Sequence, residues 1–538
     1  MALAVALAQA LPGRARAQDA AAAMPSFAEL EAAGARIGRI HVLNRNIFDT
    51  GDPEEDKLLF RWANALHVRT RADVIRGALL FKTGEPLSVR LIDETERVLR
   101  STRYLHDVSL RPVAQRDGVV DIEVLTRDTW TLDPGLSLGR SGGVNSSGIS
   151  LREYNLLGSA VAVSLGRSSN VDRSSNEFEI STRRAFGGWT ALSYSRAQNS
   201  DGMREAASIL RPFYSLDTRW SAGAKASRDD RIEPIYQAGE VASEYRHWQN
   251  RAEVMGGWSR GRVDGFVQRY SVGFEHREDR YAFEPGSVPP AQLPPDEKLI
   301  GPFLRYELIE DRFEKVVNRN QVGRPEFFAL GLESTVQIGR AAVALGSSKD
   351  AWLYSARVSR GYEPAPGHTL LGAAAISGQY TAGRIERQQV GGFVQYFRPQ
   401  SKHWLFYASA WADVLTQPGP VDMLMLGGDN GLRGYPLRYQ AGDRRALLTV
   451  EERAYSNVYL FRLFRFGAAA FVDVGRAWGG SHAHTTDPGW LADAGVGLRI
   501  FSVRAAFSNV LHADVAFPVG ANGDIKKAQF LLKTKTSF

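Results

Sequence analysis

From Asp133-Pro134-Gly135 to its last residue, the chain is a succession of short stretches in which apolar and polar residues alternate, separated by turn residues. A period of two places successive side chains on opposite faces of a β-strand. Phe406, Ala408, Ala410, Ala412 and Val414 share one face, and Tyr407, Ser409, Trp411 and Asp413 share the other. Phe178, Ile180 and Thr182 oppose Glu179, Ser181 and Arg183. The final QFLLKTKTSF sets Phe530, Leu532, Thr534, Thr536 and Phe538 against Leu531, Lys533, Lys535 and Ser537. A soluble propeller or sandwich series shows the same alternation, as does a barrel in a membrane. No 40-residue repeat marks a propeller. No run of about 18 apolar residues marks a transmembrane helix. A membrane barrel needs strands of only about 9–11 residues, apolar at alternate positions. The 52 glycines and 10% aromatic residues suit curved strands and interfacial girdles. At roughly 20–25 residues per strand with its share of turn, residues 132–538 predict about 16 strands. The pro-rich Glu284–Lys298 cannot donate ladder hydrogen bonds and reads as a long outer loop. Asn155-Leu156-Leu157-Gly158 reads as a tight periplasmic turn.

Residues 1–131 are of another kind. Residues 1–17 read as a secretory signal, with an apolar core at Ala2–Leu11 and an A-x-A cleavage site at Ala15-Arg16-Ala17. No Lys or Arg precedes that core. Residues 18–34 form a short lead-in, helical or loose. Residues 35–131 then carry a strand at Arg36–Val42, a helix at Arg71–Phe81 with Thr70 as its cap, and a helix from Ser88 to Arg100. A strand at Tyr104–Val113, the turn Asp117-Gly118 and a strand at Val119–Thr126 complete a β-α-α-β-β order. This unit resembles a POTRA (polypeptide-transport-associated) domain in Phe81-x-x-Gly84-Glu85-Pro86, in Leu99–Leu105 (LRSTRYL) and in the closing VDIEV strand. The long stretch Leu43–Thr70 between the first strand and first helix departs from the compact form. The resemblance implies a sheet edge open to β-augmentation by an extended peptide.

Between alternating segments lies Leu426–Pro436, LGGDNGLRGYP. Its glycines allow close backbone approach, and it carries one arginine, Arg433. Such a loop can fold back into a barrel and pair with a carboxylate on the inner wall. Asp473, in Phe471-Val472-Asp473-Val474-Gly475, shares a strand face with Phe471. A carboxylate facing the lumen is tolerated when wetted or paired.

Taken in order, these features resemble the BamA/TamA-type outer-membrane insertase superfamily, the bacterial surface antigen proteins. The residues that carry the resemblance are Arg433-Gly434-Tyr435-Pro436, the Phe471–Gly475 strand, Glu153–Gly158 (EYNLLG), and Glu451 with Arg453 as an E-x-R. The fold expected is mostly β: a 16-stranded antiparallel transmembrane β-barrel preceded by one small α+β POTRA domain. The resemblance implies a loop lock made of Arg433, Gly434, Tyr435, Asp473 and Glu451. It also implies a lateral gate between the first strand (with Gly135 and Gly139) and the last (with Phe530, Leu532 and Phe538). The implied location is the bacterial outer membrane, with the POTRA domain in the periplasm.

The implied function is acceptance of unfolded polypeptide and its insertion into, or passage across, the outer membrane. A single POTRA-like unit favours an accessory or specialised factor over a housekeeping one. A two-partner secretion transporter and a passive pore are the rival readings. Expected partners are unfolded outer-membrane or secreted polypeptides, outer-membrane lipid, and periplasmic chaperones or accessory proteins. Nucleic acid is not expected, because no Lys/Arg cluster interleaves with aromatics. The net charge of +7 is compatible with anionic lipid or an acidic partner. No cofactor or metal is expected. Cysteine is absent, and His482-x-His484 lacks a third ligand. No ATP-binding motif is present, so substrate folding would supply the energy. Gly139-Arg140-Ser141-Gly142-Gly143 matches the G-x-S-x-G of hydrolases. The following residues are turn-like and strand-like rather than the helix a nucleophile elbow requires. An enzyme is therefore not expected, and Ser141 reads as part of an outer turn.

Overall fold

The computed structural model describes residues 24–317, 319–320, 325–460, 464–480, 487–502, 510–520 and 525–535. The signal segment, His482, His484 and Phe538 lie outside the described residues.

The N-terminal unit runs α1 (Phe27–Ala32), β1 (Arg36–Arg45), α2 (Leu58–Leu66), α3 (Ala72–Gly77), α4 (Val89–Arg100), β2 (Leu105–Arg116) and β3 (Val119–Asp128). The sheet order is β1-β3-β2, with β1 parallel and β2 antiparallel to β3. Asp117 and Gly118 both take positive φ in the turn between β2 and β3, as a two-residue hairpin of matching twist requires. Ser26 and Glu29 form a capping box that starts α1. Leu30 of α1 joins Ile37, Ile75, Leu99, Val120 and Ile122 in the core.

Two local expectations change. A third helix, α2, stands inside the Leu43–Thr70 stretch, so three helices rather than two separate β1 from β2. Thr70 is not a cap, because Arg71 holds the cap position of α3. Instead the Thr70 N–H donates to Asp128 at 2.7 Å and its hydroxyl accepts from Asn155 at 2.7 Å. Ser88 does occupy the cap position of α4, without a side-chain capping bond.

From Leu132 onward the described strands close into one antiparallel barrel of 20, not 16. Many connections hold only two residues between strands, among them Gly142-Gly143, Ser200-Asp201, Ala238-Gly239, Asp264-Gly265 and Ala382-Gly383. Short turns at both ends lower the residues spent per strand to about 20, the bottom of the range used for the estimate. Leu136, Ile149, Leu165, Val254, Val272, Leu304, Ile338, Val472 and Val496 point outward and are exposed, with Trp220, Trp258, Trp352 and Trp404 among them. An apolar belt with aromatic residues on the outside, and charged residues inside, is the surface of a barrel that spans a membrane. None of the described helices is long and apolar enough to cross one. The Pro-rich loop after Phe266–Phe283 opens at the same end as the loop bearing Arg433. The Asn155–Gly158 turn opens at the end that carries the N-terminal unit.

That unit lies across one mouth of the barrel. The Leu216 N–H donates to Glu94 of α4 at 2.8 Å, and Arg90 pairs with Asp217. The Arg97 guanidinium sits 4.8 Å from the centre of the Phe313 ring. At the opposite side Arg71 N–H donates to Gly158 O at 3.1 Å. Asp128, fully buried at the end of β3, ties the junction together. It accepts from Asn44 Nδ2 at 2.9 Å and from Thr70 N–H, and lies 2.7 Å from His67 Nε2. Removing it takes the acceptor from the buried Thr70 N–H and the partner from the His67 ring, and leaves Asn44 Nδ2 with Thr70 O alone. Asp128→Ala is expected to cost about 2–3 kcal/mol and to expose residues 43–70 to limited proteolysis while the barrel stays folded. An unchanged digestion pattern would show that the junction does not depend on this carboxylate.

Candidate functional site

The long connection between strands Trp404–Thr416 and Arg444–Leu460 turns inward. A short two-stranded ladder of three registered pairs, Leu424–Leu426 with Gln440–Gly442, makes its stem. Leu426, Leu432 and Tyr435 are fully buried at its tip, against Leu447 and Ala477 of the wall. The Tyr435 hydroxyl donates to the carbonyl of Ala492 at 3.0 Å, and lies 3.3 Å from that of Val519. Gly434 must lack a side chain: a Cβ there would come within 2.6 Å of the Asp493 Cβ.

These contacts deliver Arg433 to the inner wall. Its Nε donates to Asp473 Oδ2 at 2.7 Å and its Nη2 to Asp473 Oδ1 at 3.0 Å, the bidentate fork a guanidinium favours. Its Nη1 donates to Glu451 Oε1 at 2.9 Å. The guanidinium carbon lies 3.3 Å from the centre of the Phe471 ring, a stacked arrangement a lysine cannot reproduce. The carboxylates are held in turn. The Thr449 hydroxyl donates to Asp473 at 2.7 Å. Arg453 Nε donates to Glu451 Oε2 at 2.8 Å and stacks 3.6 Å from the Tyr407 ring centre. Asp514 lies 3.8 Å from Arg433 and pairs with Arg499. Asp493 stands directly opposite Asp473 on the next strand. Every charged group of this cluster is buried.

The structure thus brings together Arg433, Asp473 and Glu451, with Gly434 and Tyr435 seating the loop. It places the other expected residues around the seam of the barrel. Gly135 and Gly139 of strand Leu132–Ser141 face Ser150 and Ser146 of the next strand. Phe530 points outward, and Leu532 pairs with Arg140. Among the described residues that is the single registered pair across the seam, whereas Val510–Ala516 pairs along its length with Gln529–Lys535.

Sequence reasoning missed how the loop touches both sides of this seam. The Ser141 hydroxyl donates to Gly428 O at 2.6 Å, and Leu437 N–H donates to Gly142 O at 3.2 Å. Lys533 of the last strand donates to Asp429 O at 2.9 Å. Ser141 is therefore bonded to backbone at the end of its strand, and another strand follows where a nucleophile elbow requires a helix. Lys533 lay on the inward face of the terminal alternation, which was the available signal. On the far side, Arg438 makes a fork with Asp172, at 2.7 and 2.9 Å. The Tyr236 hydroxyl donates to the same carboxylate at 2.9 Å. No groups of three or more potential metal ligands occur among the described residues.

The fold and site define a class: a closed antiparallel barrel of the outer-membrane kind, whose inward loop is fixed to the wall by one buried arginine. Among solved structures, the chain is similar to BamA from Haemophilus ducreyi lacking POTRA domains 1-3, at 13% identity and a TM-score of 0.43, over 93% of this chain and 85% of that one. It is similar to CdiB from Escherichia coli at 13% identity and a TM-score of 0.47, over 92% and 76% of the two chains. For CdiB from Acinetobacter baumannii the values are 14%, 0.41, 93% and 73%. No family model and no curated protein matches the sequence.

Arg433→Ala takes the guanidinium from buried Asp473 and leaves Glu451 with Arg453. The expected cost is about 3–5 kcal/mol, read as a lower unfolding temperature of the barrel on semi-native gels. Arg433→Lys should recover only part of it. Arg433→Ala combined with Asp473→Ala should cost less than the two single changes summed; strict additivity would mean the pair is not coupled. The Arg438–Asp172 fork adds a pH signature. Burial pushes the Asp172 carboxyl up, but Arg438 beside it outweighs this and holds it below the usual range. Its stabilisation is fully present above the ordinary aspartate pKa of about 3.9 and is lost as pH falls through the lowered value. Arg438→Ala should therefore flatten the acid limb of barrel unfolding.

Proposed function

We propose that the protein is an outer-membrane assembly or translocation factor of the BamA/TamA type. It takes unfolded polypeptide at the N-terminal unit and inserts it, or passes it, through a lateral opening between its first and last barrel strands. The observation that carries this reading is the seam. One registered pair among the described residues joins Leu132–Ser141 to Gln529–Lys535, and the arginine-held loop is bonded to both. A strand edge with few ladder bonds is a template for another strand. An incoming segment forms backbone hydrogen bonds there without first breaking a long native ladder.

The N-terminal unit fits the receiving role. β2 is an edge of its sheet and pairs only with β3 among the described strands, so an extended peptide has a row of backbone groups to join. The RGYP loop, the FVDVG strand and the E-x-R pair match the superfamily's pattern at the residues that meet in the lumen.

The chain has no cysteine, so one engineered pair tests the seam. Arg140→Cys with Leu532→Cys places two thiols at the registered pair. Oxidation is expected to abolish insertion or export of clients, and reduction to restore it; full activity when locked would remove lateral opening from the mechanism. Photo-crosslinking from Leu532 or Thr534 in living cells reads the client. Several barrel proteins ending in aromatic residues mean an insertase, one large exported protein means a dedicated exporter, and no polypeptide at all overturns the reading.

A further inference from the structure

Helix α2 breaks the usual division of an amphipathic helix. Its inward side is small: Phe60 stacks on Phe48 with ring centres 4.1 Å apart, and Ala63 and Trp130 close the cluster around Ile47. Asn64 fixes the same side, accepting from Phe48 N–H at 3.1 Å and donating to its carbonyl at 2.8 Å. The other side carries Leu58, Leu59, Trp62 and Leu66, which are 63–74% exposed. At 100° per residue these four fall on one arc of the helix. Val68, just beyond, is exposed as well. Four large apolar side chains on nine residues, all facing outward and none used by the fold, need a partner.

Position identifies it. Trp130, under α2, precedes the first barrel strand by two residues. The C-terminal end of α2 is tied through His67, Asp128 and Thr70 to Asn155, in the turn that follows the first barrel hairpin. That turn carries the exposed Leu156 and Leu157, and the hairpin above it carries Leu136, Leu138, Ile149 and Leu151 on its outer face. The apolar surface thus continues from the lipid-facing belt, over the rim, to α2. Lys57 and Arg69, on either side of the helix, are exposed and suited to lipid phosphates, whereas Arg61 within it is forked to Asp56; tryptophan favours the interface between headgroups and acyl chains.

We propose that α2 is a membrane-surface helix: Leu58, Leu59, Trp62 and Leu66 enter the lipid leaflet at the base of the first barrel hairpin and fasten the N-terminal unit beside the seam. This rests on the barrel spanning a membrane and is independent of what the barrel transports.

The test uses the full-length protein in vesicles of phosphatidylethanolamine and phosphatidylglycerol whose acyl chains carry a nitroxide quencher. Because cysteine is absent, a single fluorophore is placed at Trp62→Cys, at Leu138→Cys in the belt, or at Gln115→Cys beside the β2–β3 turn, the far end of the small sheet. The expected result is quenching at 62 comparable with that at 138 and at least several-fold greater than at 115. Changing Leu58 and Leu66 to glutamate should remove the quenching at 62 and leave that at 138. Quenching at 138 with an iodide-accessible, unquenched label at 62 would overturn the proposal. So would a label at 62 shielded from both quenchers, which would mean a protein covers the helix. No quenching at 138 would instead reject the membrane-spanning barrel itself.

Discussion

A guanidinium buried in the barrel lumen is the constraint on which the far half of the molecule depends. Taking Arg433 out of water is costly, and the cost is recovered only if several acceptors surround it in good geometry. Asp473, Glu451 and the Phe471 face provide that surround. The dependence is mutual. Without the arginine, buried Asp473 would lose that ion partner and keep the Thr449 hydroxyl. Loop and wall therefore hold one another in a single arrangement. The gain is definition of position more than net stability, because a buried ion pair seldom outperforms a well-packed apolar contact.

Position matters because of what the loop tip touches. With Arg433 seated, Gly428 and Asp429 fall where Ser141 and Lys533 can reach their carbonyls. The two edges of the seam are thus bridged through a third element in place of a continuous ladder. A ladder breaks rung by rung and regains its bonds only with another strand. A bridge of a few hydrogen bonds can be released by a shift of the loop, and the cluster that fixes the loop lies on strands other than the two that form the seam. Closure of the barrel and placement of the loop are therefore energetically linked, which is the coupling a regulated opening needs.

Much of this was legible in the chain because period-two alternation reports directly which side chains share a face. Asp473 beside Phe471, and the split of Phe530 from Leu531, follow from counting by twos. Gly434 and Tyr435 were legible as parts of a loop that needs close approach. The strand number was not: alternation says that strands exist, while their count depends on turn lengths, and two-residue turns such as Ala238-Gly239 leave little mark in sequence. Thr70 misled for a related reason. A threonine before a helical pattern is the usual sign of a cap, but the buried Asp128 and Asn155 compete for its polar groups, and neither is near in sequence. Ser141 matched a hydrolase motif because both settings ask for small residues at a tight turn. The strand that follows, in place of a helix, separates the two in sequence, and the bond to Gly428 shows what the hydroxyl does instead.

The two ends of the barrel also bear on the choice among functions. From one end the loop fills the lumen beside strands Arg444–Leu460 through Val510–Val519. From the other, α4 and its neighbours bridge turns as far apart as Gly158, Asp217 and Phe313. A passive pore is best served by an open axis, and here both ends of the axis are occupied by elements anchored through buried or partly buried ion pairs. The wall, by contrast, has one line at which a single registered pair joins the described strands. That line starts where Asp128 and Asn155 join the N-terminal unit to the first hairpin, so a peptide added to the small sheet would stand close to the seam. Obstruction along the axis and a thin ladder at its side favour a route through the wall over one through the lumen.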